Sequence, residues 1–326
     1  MSLRDSRSWL QRWNAYWFPT TTTLNLGGAR ILAVAAELFW FFPSLSHQIA
    51  LATKNTHFVD PQPLIRLITA VVPREAVFTP TVLTLMSWVV WLAGCAALIG
   101  LWTRAALFVL ALGEWILVSH AYSYGDVHHN QALFSIFLLA LAFSPAGESL
   151  SVDALLRRRR AGARAPTGEP VSDMAMWPLK LAHVLLALTY FETGISKILA
   201  GGLRWMNGYT LQISVMSDAI PGNLPVGIWL AQHHRLCIVL SVFTILFETL
   251  YFLSLFLPRV APFFFFGGIL FHINLYLTGG HPFFPHIVMN AMLLVFLDSR
   301  WFPALVRRLQ TDMSRSGASQ EAGQTP

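Results

Sequence analysis

The chain has 326 residues, of which 55% are hydrophobic and only 12% charged, and its mean hydropathy is +0.55. This composition excludes an ordinary soluble domain and indicates a polytopic membrane protein. The formal charge of +6 does not indicate a nucleic-acid partner, because the basic residues flank apolar segments instead of forming a groove with aromatic platforms. The predicted surroundings are therefore the lipid bilayer.

The two cysteines predict neither a disulfide framework nor a zinc site. Cys95 and Cys237 lie singly in apolar runs, without a CxxC motif or a His/Cys cluster. We interpret both as packing residues.

Residues 1–29 predict an amphipathic helix that lies on the membrane surface. Trp9, Trp13 and Trp17 recur every four residues and so form one stripe on a helix, with Arg7 and Arg12 beside them. The segment lacks the short apolar core and small-residue cleavage site of a signal peptide, so we expect the first membrane helix to be retained.

Residues 30–300 predict an all-α bundle of about eight transmembrane helices. Apolar runs long enough to cross a bilayer occur at 30–51, 79–101, 105–122, 130–147, 177–200, 235–257, 261–278 and 282–299. The small and polar residues of 301–326 predict a disordered cytoplasmic tail.

The distribution of basic residues predicts that both termini are cytoplasmic. In that orientation most of the 22 Lys and Arg residues lie inside, including those of the basic hinge 151–176. The two long connections, 52–78 and 201–234, then lie outside. Their short apolar pieces, 64–72 and 225–232, predict half-helices that roof a cavity. We expect a multi-pass protein of a bacterial plasma membrane whose active face is extracytoplasmic.

Several ionisable residues lie within the predicted spans, where a charge costs several kcal/mol and indicates a function by default. They are Glu37, Glu114, His183, Glu192, Lys197, Glu248 and His272. For Glu37 and Glu114 taken singly, a satisfied interhelical hydrogen bond is the favoured interpretation.

The fifth predicted span carries the most informative pattern, YFETGISKI at 190–198. At 100° per residue, His183, Tyr190, Gly194 and Lys197 share one face, whereas Glu192 points elsewhere and is badly placed to pair with Lys197. Only three of the 22 basic residues are lysines. A lysine that snorkels to the interface is the simpler explanation, but a lysine can also act as a base, which arginine cannot.

Other polar residues fall at the outer ends of the predicted spans. YSYGDVHHNQ, at 122–131, brings His128, His129 and Asn130 to the outer face, and FHINLYLTGGHPFFPHIVMN, at 271–290, brings His281 and His286 there. The spacing matches no metal-binding pattern with a carboxylate partner, so we predict hydrogen-bonding roles and no metal.

The run YFETGISKILAGGLRWMNGYTL, at 190–211, and the later FHIN with G-x-x-F-F-P, at 271–285, resemble one family. This is the horizontally transferred transmembrane (HTTM) domain family, named for its likeness to the membrane part of vitamin K-dependent gamma-carboxylase. The resemblance covers about 20–300, and it implies Lys197 as the base. The other matching residues are Tyr190, Gly194, Trp205, Gly208, Tyr209, His272, Phe284 and Pro285.

The resemblance also implies a cofactor and a reaction. The carboxylase deprotonates a reduced quinone of the vitamin K type, uses dioxygen to make an epoxide and a strong base, and adds carbon dioxide to glutamate. Three departures limit the transfer: Glu192 replaces an apolar residue, the order of residues around Asn130 differs, and the large soluble region that captures protein substrates is not expected. Carboxylation of a protein glutamate is therefore not expected of this chain alone.

Three functions follow as hypotheses. The first is an enzyme in which Lys197 deprotonates a quinol or another lipid-soluble acid, with His272 as a second catalytic residue. The predicted substrate-binding residues are Tyr190, Gly194, Trp205, Tyr209, His129, Asn130, Glu192, Glu248 and His286. The second is a non-catalytic membrane component that works with a soluble or membrane protein partner. The third is a proton-coupled transporter, although no convincing internal repeat supports it.

Overall fold

The structure is a computed structural model that describes residues 3–54, 59–125, 127, 129–164, 168–297 and 302–309. Within these ranges the regular structure is helical apart from one ribbon of two short strands, which confirms the predicted all-α class. Of the predicted tail, 302–309 are helical, and 310–326 lie outside the described residues.

The helices are numbered in chain order. The first part of the chain forms α1 (Leu3–Trp17), α2 (Leu24–Ala36), α3 (Leu45–Ala52), α4 (Pro63–Thr69), α5 (Arg74–Val77), α6 (Pro80–Ile99), α7 (Thr103–Tyr122), α8 (His129–Ala142) and α9 (Val152–Ala161). The second part forms α10 (Trp177–Gly201), α11 (Tyr209–Ala219), α12 (Pro225–Ala231), α13 (His234–Leu250), α14 (Ala261–Gly279) and α15 (Phe284–Phe296). A π-helical turn, Glu37–Phe41, extends α2, and 3-10 turns extend α10 through Gly202–Asn207 and α13 through Tyr251–Leu255.

In the described part of the chain, six helical segments are long and apolar enough to cross a membrane. They are Leu24–Phe41, Pro80–Ile99, Thr103–Tyr122, Trp177–Asn207, His234–Leu255 and Ala261–Gly279. The two remaining predicted spans correspond to shorter apolar helices, Gln131–Ala142 and Phe284–Phe296.

The first predicted span, 30–51, is not one continuous helix, which corrects the sequence-based prediction. Its helix begins earlier, at Leu24, passes into the π-helical turn at Glu37 and ends at Phe41; the chain resumes as α3 only at Leu45. Pro43 explains the break, because proline has no N–H to donate and disfavours helical backbone at the residue before it.

Polar side chains fix the ends of several helices. Thr79 accepts a hydrogen bond from the backbone N–H of Val82 at the start of α6, and Gly100 ends that helix at φ +72°. The start of α7 is capped from another element: Asp153 of α9 accepts hydrogen bonds from the backbone N–H groups of Trp102 and Thr103 at 2.9 and 2.8 Å. This cap therefore holds the start of α9, which follows α8 in the chain, against the start of α7.

A short antiparallel ribbon joins the two parts of the bundle. Strand β1 (Thr21–Thr22) pairs with β2 (Val171–Ser172), with Thr21 opposite Ser172. The ribbon places the starts of α2 and α10 next to each other. On α2, the buried Arg30 donates hydrogen bonds to the carbonyl oxygens of Ala146 and Leu150 at 2.8 and 2.5 Å, so its charge is held by the loop before α9.

The connection between α10 and α13 packs around its own small group of apolar side chains. Side chains of α11, α12 and the start of α13 make a separate apolar cluster of Val215, Ala219, Leu230, Ala231 and Cys237. Both predicted half-helices are present, as α4 and α12. Neither of them lines the cavity between α10 and α14, whereas Leu211 and Ser214 of α11 do.

The crossing of α10 and α13 depends on Gly194. A Cβ atom at this position would lie 2.6 Å from Oγ1 and 2.7 Å from the backbone nitrogen of Thr249. The two helices therefore approach more closely here than any other side chain permits, as small residues allow in membrane bundles.

We expect Asp153→Ala to destabilise the protein by about 1 kcal/mol at neutral pH, because the helix start of α7 loses its cap. Burial alone would raise the pKa of the Asp153 carboxyl, but hydrogen bonds from Thr103 and Trp102 and the charge of Arg157 outweigh burial and lower the pKa. The contribution of Asp153 is therefore full above the ordinary pKa of aspartate and is lost as the pH falls through the lowered value. Thermal unfolding in detergent at several pH values measures the difference. The exposed Asp173→Asn is the control, and an equal loss in both variants would contradict the cap.

We expect Gly194→Ala to destabilise the fold by ~1–3 kcal/mol, because the added methyl group collides with backbone atoms of α13 that cannot rotate away. Gly168→Ala is the matched control, since a Cβ there has no neighbour within 4 Å among the described atoms. Thermal unfolding of the two variants tests the prediction, and equal stability would show that α10 and α13 do not need this close contact.

Candidate functional site

A cavity of about 240 Å³ lies between α10, α11, α13, α14 and α15. Its walls are mainly apolar, with a few polar groups that converge on the interior. The lining residues are Thr189, Tyr190, Thr193, Lys197, Trp205, Leu211, Ser214, Thr244, Glu248, Phe271, His272, Leu275, Phe283 and His286. Larger cavities lie beside α9 and beside Lys180, but this one contains a buried pair of opposite charges.

The pair is Lys197 and Glu248. The Nζ atom of Lys197 lies 2.6 Å from Oε2 of Glu248, and the side chains are 21% and 5% exposed. The ring of Trp205 adds a second contact, with its centroid 5.7 Å from Nζ. A buried pair of this kind is costly to desolvate and is maintained only by close geometry, which the approach of α10 to α13 at Gly194 supplies.

A hydrogen-bonded chain of three side chains begins at Tyr190 in the cavity wall and runs into the protein behind it. Tyr251 donates from its hydroxyl to Oδ1 of Asn290 at 2.7 Å, and Nδ2 of Asn290 donates to the hydroxyl of Tyr190 at 3.2 Å. The rings of Tyr190 and Tyr251 are stacked with centroids 4.2 Å apart. Tyr190 is thereby fixed in orientation at the cavity.

Two histidines line the wall opposite α13. His272 of α14 and His286 of α15 are both buried, and their ring centroids are 4.8 Å apart. The ring of His272 also lies 5.6 Å from that of Tyr190 and 5.3 Å from that of Phe283. The aromatic rings hold both imidazoles at the cavity.

The structure brings together most of the predicted site residues. Lys197, His272, Tyr190, Trp205, Glu248 and His286 all line the cavity. Gly194 lies beside it, at the contact with Thr249. Tyr209 is 57% exposed and packs on the ring of His234, 4.2 Å away, outside the lining. Glu192, also predicted to bind substrate, is exposed and lies outside the lining.

The other predicted residues either lie outside the described side chains or line a different cavity. His129 and Asn130 begin α8, and their side chains lie outside the described part of the structure, as does His128. His183 shares a helix face with Tyr190, but it contacts Ser254 at 2.8 Å and lines a different cavity together with Lys180.

Sequence reasoning did not identify Tyr251 or the partner of Lys197. Both belong to α13 and its extension, where Glu248 and Tyr251 are three residues apart and so lie on one side of the helix. That spacing of a glutamate and a tyrosine within an apolar span was the available signal.

The arrangement is suited to proton transfer more than to metal binding. A carboxylate and an amine in contact can exchange a proton, and here the carboxylate of Glu248 is almost fully buried. Among the residues that the structure describes, no group of three or more His, Cys, Asp or Glu side chains is placed to hold a metal ion.

Comparison with known proteins gives one match. No curated protein and no solved structure is similar to the chain. The family model described as "HTTM domain" matches residues 22–301, which is most of the sequence and includes every residue that lines the cavity. The chain therefore belongs to the HTTM domain family.

Proposed function

We propose that the protein is a membrane enzyme whose Lys197–Glu248 pair takes a proton from a quinol or another lipid-soluble acid. The observation that carries this proposal is the 2.6 Å contact between a lysine and a glutamate at the wall of a mainly apolar cavity. A purely structural ion pair has no need of an adjoining cavity, whereas a base must touch its substrate.

The cavity fits the ring of a quinone-type molecule. Its volume of about 240 Å³ is below the ~300–1,000 Å³ of most ligand pockets, so it accommodates a ring but not a long isoprenoid chain, which would remain in the lipid. Phe271, Phe283 and Leu275 offer apolar and aromatic surface, and Lys197 and Tyr190 offer groups that can bond to a ring oxygen.

Each polar residue has a part in this scheme. In the buried pair, transfer of the proton from Lys197 to Glu248 removes both charges and leaves an amine that can accept the acidic proton of the substrate. Tyr190 and His272 orient the substrate oxygen, and Trp205 stabilises the ammonium that results. A bound reduced quinone, together with dioxygen, would supply the oxidative chemistry, and carbon dioxide is a further reactant that the resemblance suggests.

We propose further that eight segments cross the plasma membrane of a bacterium, with both termini cytoplasmic and the cavity near the outer face. The two short helices support this count by their positions. The chain after α8 returns to the start of α7, where Asp153 binds Thr103. The end of α15 packs at the start of α2, where a Cβ on Gly28 would lie 2.5 Å from the ring of Phe296. Both helices therefore run through the bundle.

We expect Lys197→Arg to lower the rate of quinol oxidation or epoxide formation by about 10²-fold or more, because arginine retains the charge but cannot act as a base. Glu248→Gln should also lower the rate, since it removes the group that accepts the proton of Lys197. Purified protein, a menaquinone-type quinol and dioxygen make up the assay.

Matched controls come from the same helix. Lys180→Arg and Glu192→Gln repeat the two substitutions outside the cavity and should retain activity. Equal activity of Lys197→Arg and the wild type would refute the base. Full biological function of Lys197→Met, with stable co-purification of another protein, would instead identify a non-catalytic component that works with a partner.

Cysteine labelling tests the orientation. After Cys95 and Cys237 are replaced by alanine, Arg204→Cys should react with a membrane-impermeant maleimide in intact cells, because it lies in the exposed segment after α10. Arg158→Cys, on the exposed face of α9, should react only after the cells are opened. The reverse pattern would place the cavity on the cytoplasmic side.

A further inference from the structure

Two glutamates are completely buried in the first part of the bundle, away from the Lys197 cavity. Glu114 lies in the middle of α7, and Glu37 begins the π-helical turn that follows α2; both are 0% exposed. The charges of their carboxyl groups act on each other. Two carboxylates at this depth cannot both remain ionised, because each lacks water and each repels the other.

The surroundings of the two carboxyl groups differ. Glu114 accepts a hydrogen bond from the hydroxyl of Ser135 at 2.5 Å and another from the side chain of Gln131. Neither oxygen of Glu37 has a hydrogen-bond partner among the described atoms. Donated hydrogen bonds favour an ionised carboxylate, and their absence disfavours it. Glu114 is therefore the ionised member and Glu37 the protonated one.

A break in the membrane helix lies next to Glu37. The π-helical turn ends at Phe41, and no helix is formed at 42–44. π-Turns occur frequently at functional sites. Here Nε2 of Gln131 donates to the carbonyl oxygen of Phe41 at 3.2 Å, so the residue that binds Glu114 also binds the break.

A cavity of about 240 Å³ opens at the same place. Its lining consists of Phe41, Phe42, Pro43, Ser44, His47, Gln48, Val118, Ala121, Tyr122 and Gln131. Ala121 and Tyr122 are at the end of α7, so the cavity leads from that end of the bundle toward Gln131 and the carboxyl pair.

We propose that Glu37 and Glu114 form a second site, which binds one proton and exchanges it through the cavity at the helix break. Glu37 carries the proton, the negative charge of Glu114 retains it, and Gln131 connects both to the cavity. Loss of the proton would place two negative charges against each other at the break, so occupancy of the site determines how tightly the π-turn packs against α7 and α8.

The other titratable or charged side chains near this site are His47, His120 and Arg30. His47 lines the cavity, and His120 lies behind it with Nδ1 2.6 Å from Oε1 of Gln48. The guanidinium of Arg30, on the same helix as Glu37, is held by carbonyl oxygens at the other end of α2. None of these side chains forms an ion pair with Glu37 or Glu114 in the described part of the chain.

Infrared spectroscopy tests the proposal, because a protonated carboxyl group has its own C=O band. The measurements use purified full-length protein in a Glu248→Gln background, which removes the other buried glutamate, and they follow the band with pH and after transfer to D₂O. We expect a band at neutral pH that Glu37→Gln abolishes. In Glu114→Gln the band should persist, because Glu37 and not Glu114 carries the proton. Glu75→Gln, on an exposed helix, should change nothing.

A separate variant tests whether the proton is exchanged through the cavity. Ala121→Phe fills the cavity, and it should slow the deuterium shift of the band without removing the band. A band that is unchanged in Glu37→Gln would refute the site, and an unchanged exchange rate in Ala121→Phe would refute the route. If sodium ions abolish the band and raise the melting temperature of the wild type, the site binds a cation and the proton assignment is wrong.

Discussion

The close crossing of α10 and α13 is the constraint on which the candidate site depends. A lysine and a glutamate can share a proton only at hydrogen-bond distance, and Gly194 is the residue that lets the two helix backbones approach so far. Lys197 lies one turn beyond this contact and Glu248 directly beside it. The same crossing sets the position of Tyr251, and through Asn290 it reaches Tyr190 and α15. The absence of a side chain at Gly194 thus affects the positions of groups on three helices.

Charge within the bundle is distributed over two separate places with different chemistry. The second part of the chain buries opposite charges, Lys197 and Glu248, which can neutralise each other by moving a proton. The first part buries two carboxyl groups, Glu37 and Glu114, which cannot both be ionised; in the proposed second site, Glu37 therefore carries a proton. The ribbon of β1 and β2 joins the two parts, so both arrangements belong to one folded unit.

Much of the architecture could be predicted from the sequence, because long apolar runs can only be helices in a membrane. The grouping of Lys197, Tyr190 and His272 was accessible too, from helical periodicity and from a resemblance. The break at Pro43 was not, since the apolar run continues across it. Nor was the pairing of Lys197 with Glu248, because the two residues are on different helices, and only the packing of α10 on α13 shows which carboxyl group is near. The position of His129 and Asn130 relative to the cavity stays a prediction.

The two short helices have a consequence for the membrane electric field. With 14 and 13 residues, α8 and α15 are ~20 Å long, against a hydrocarbon layer of about 30 Å, and longer helices shield both from lipid. Gln131 near the start of α8 lines one cavity, and His286 near the start of α15 lines the other. Each shortened helix thus has a cavity at its first turn. In the proposed eight-span arrangement, a transmembrane potential would fall mainly across the remaining apolar layer, so a charge that moves at the bottom of either cavity would cross a field steeper than that of an intact bilayer.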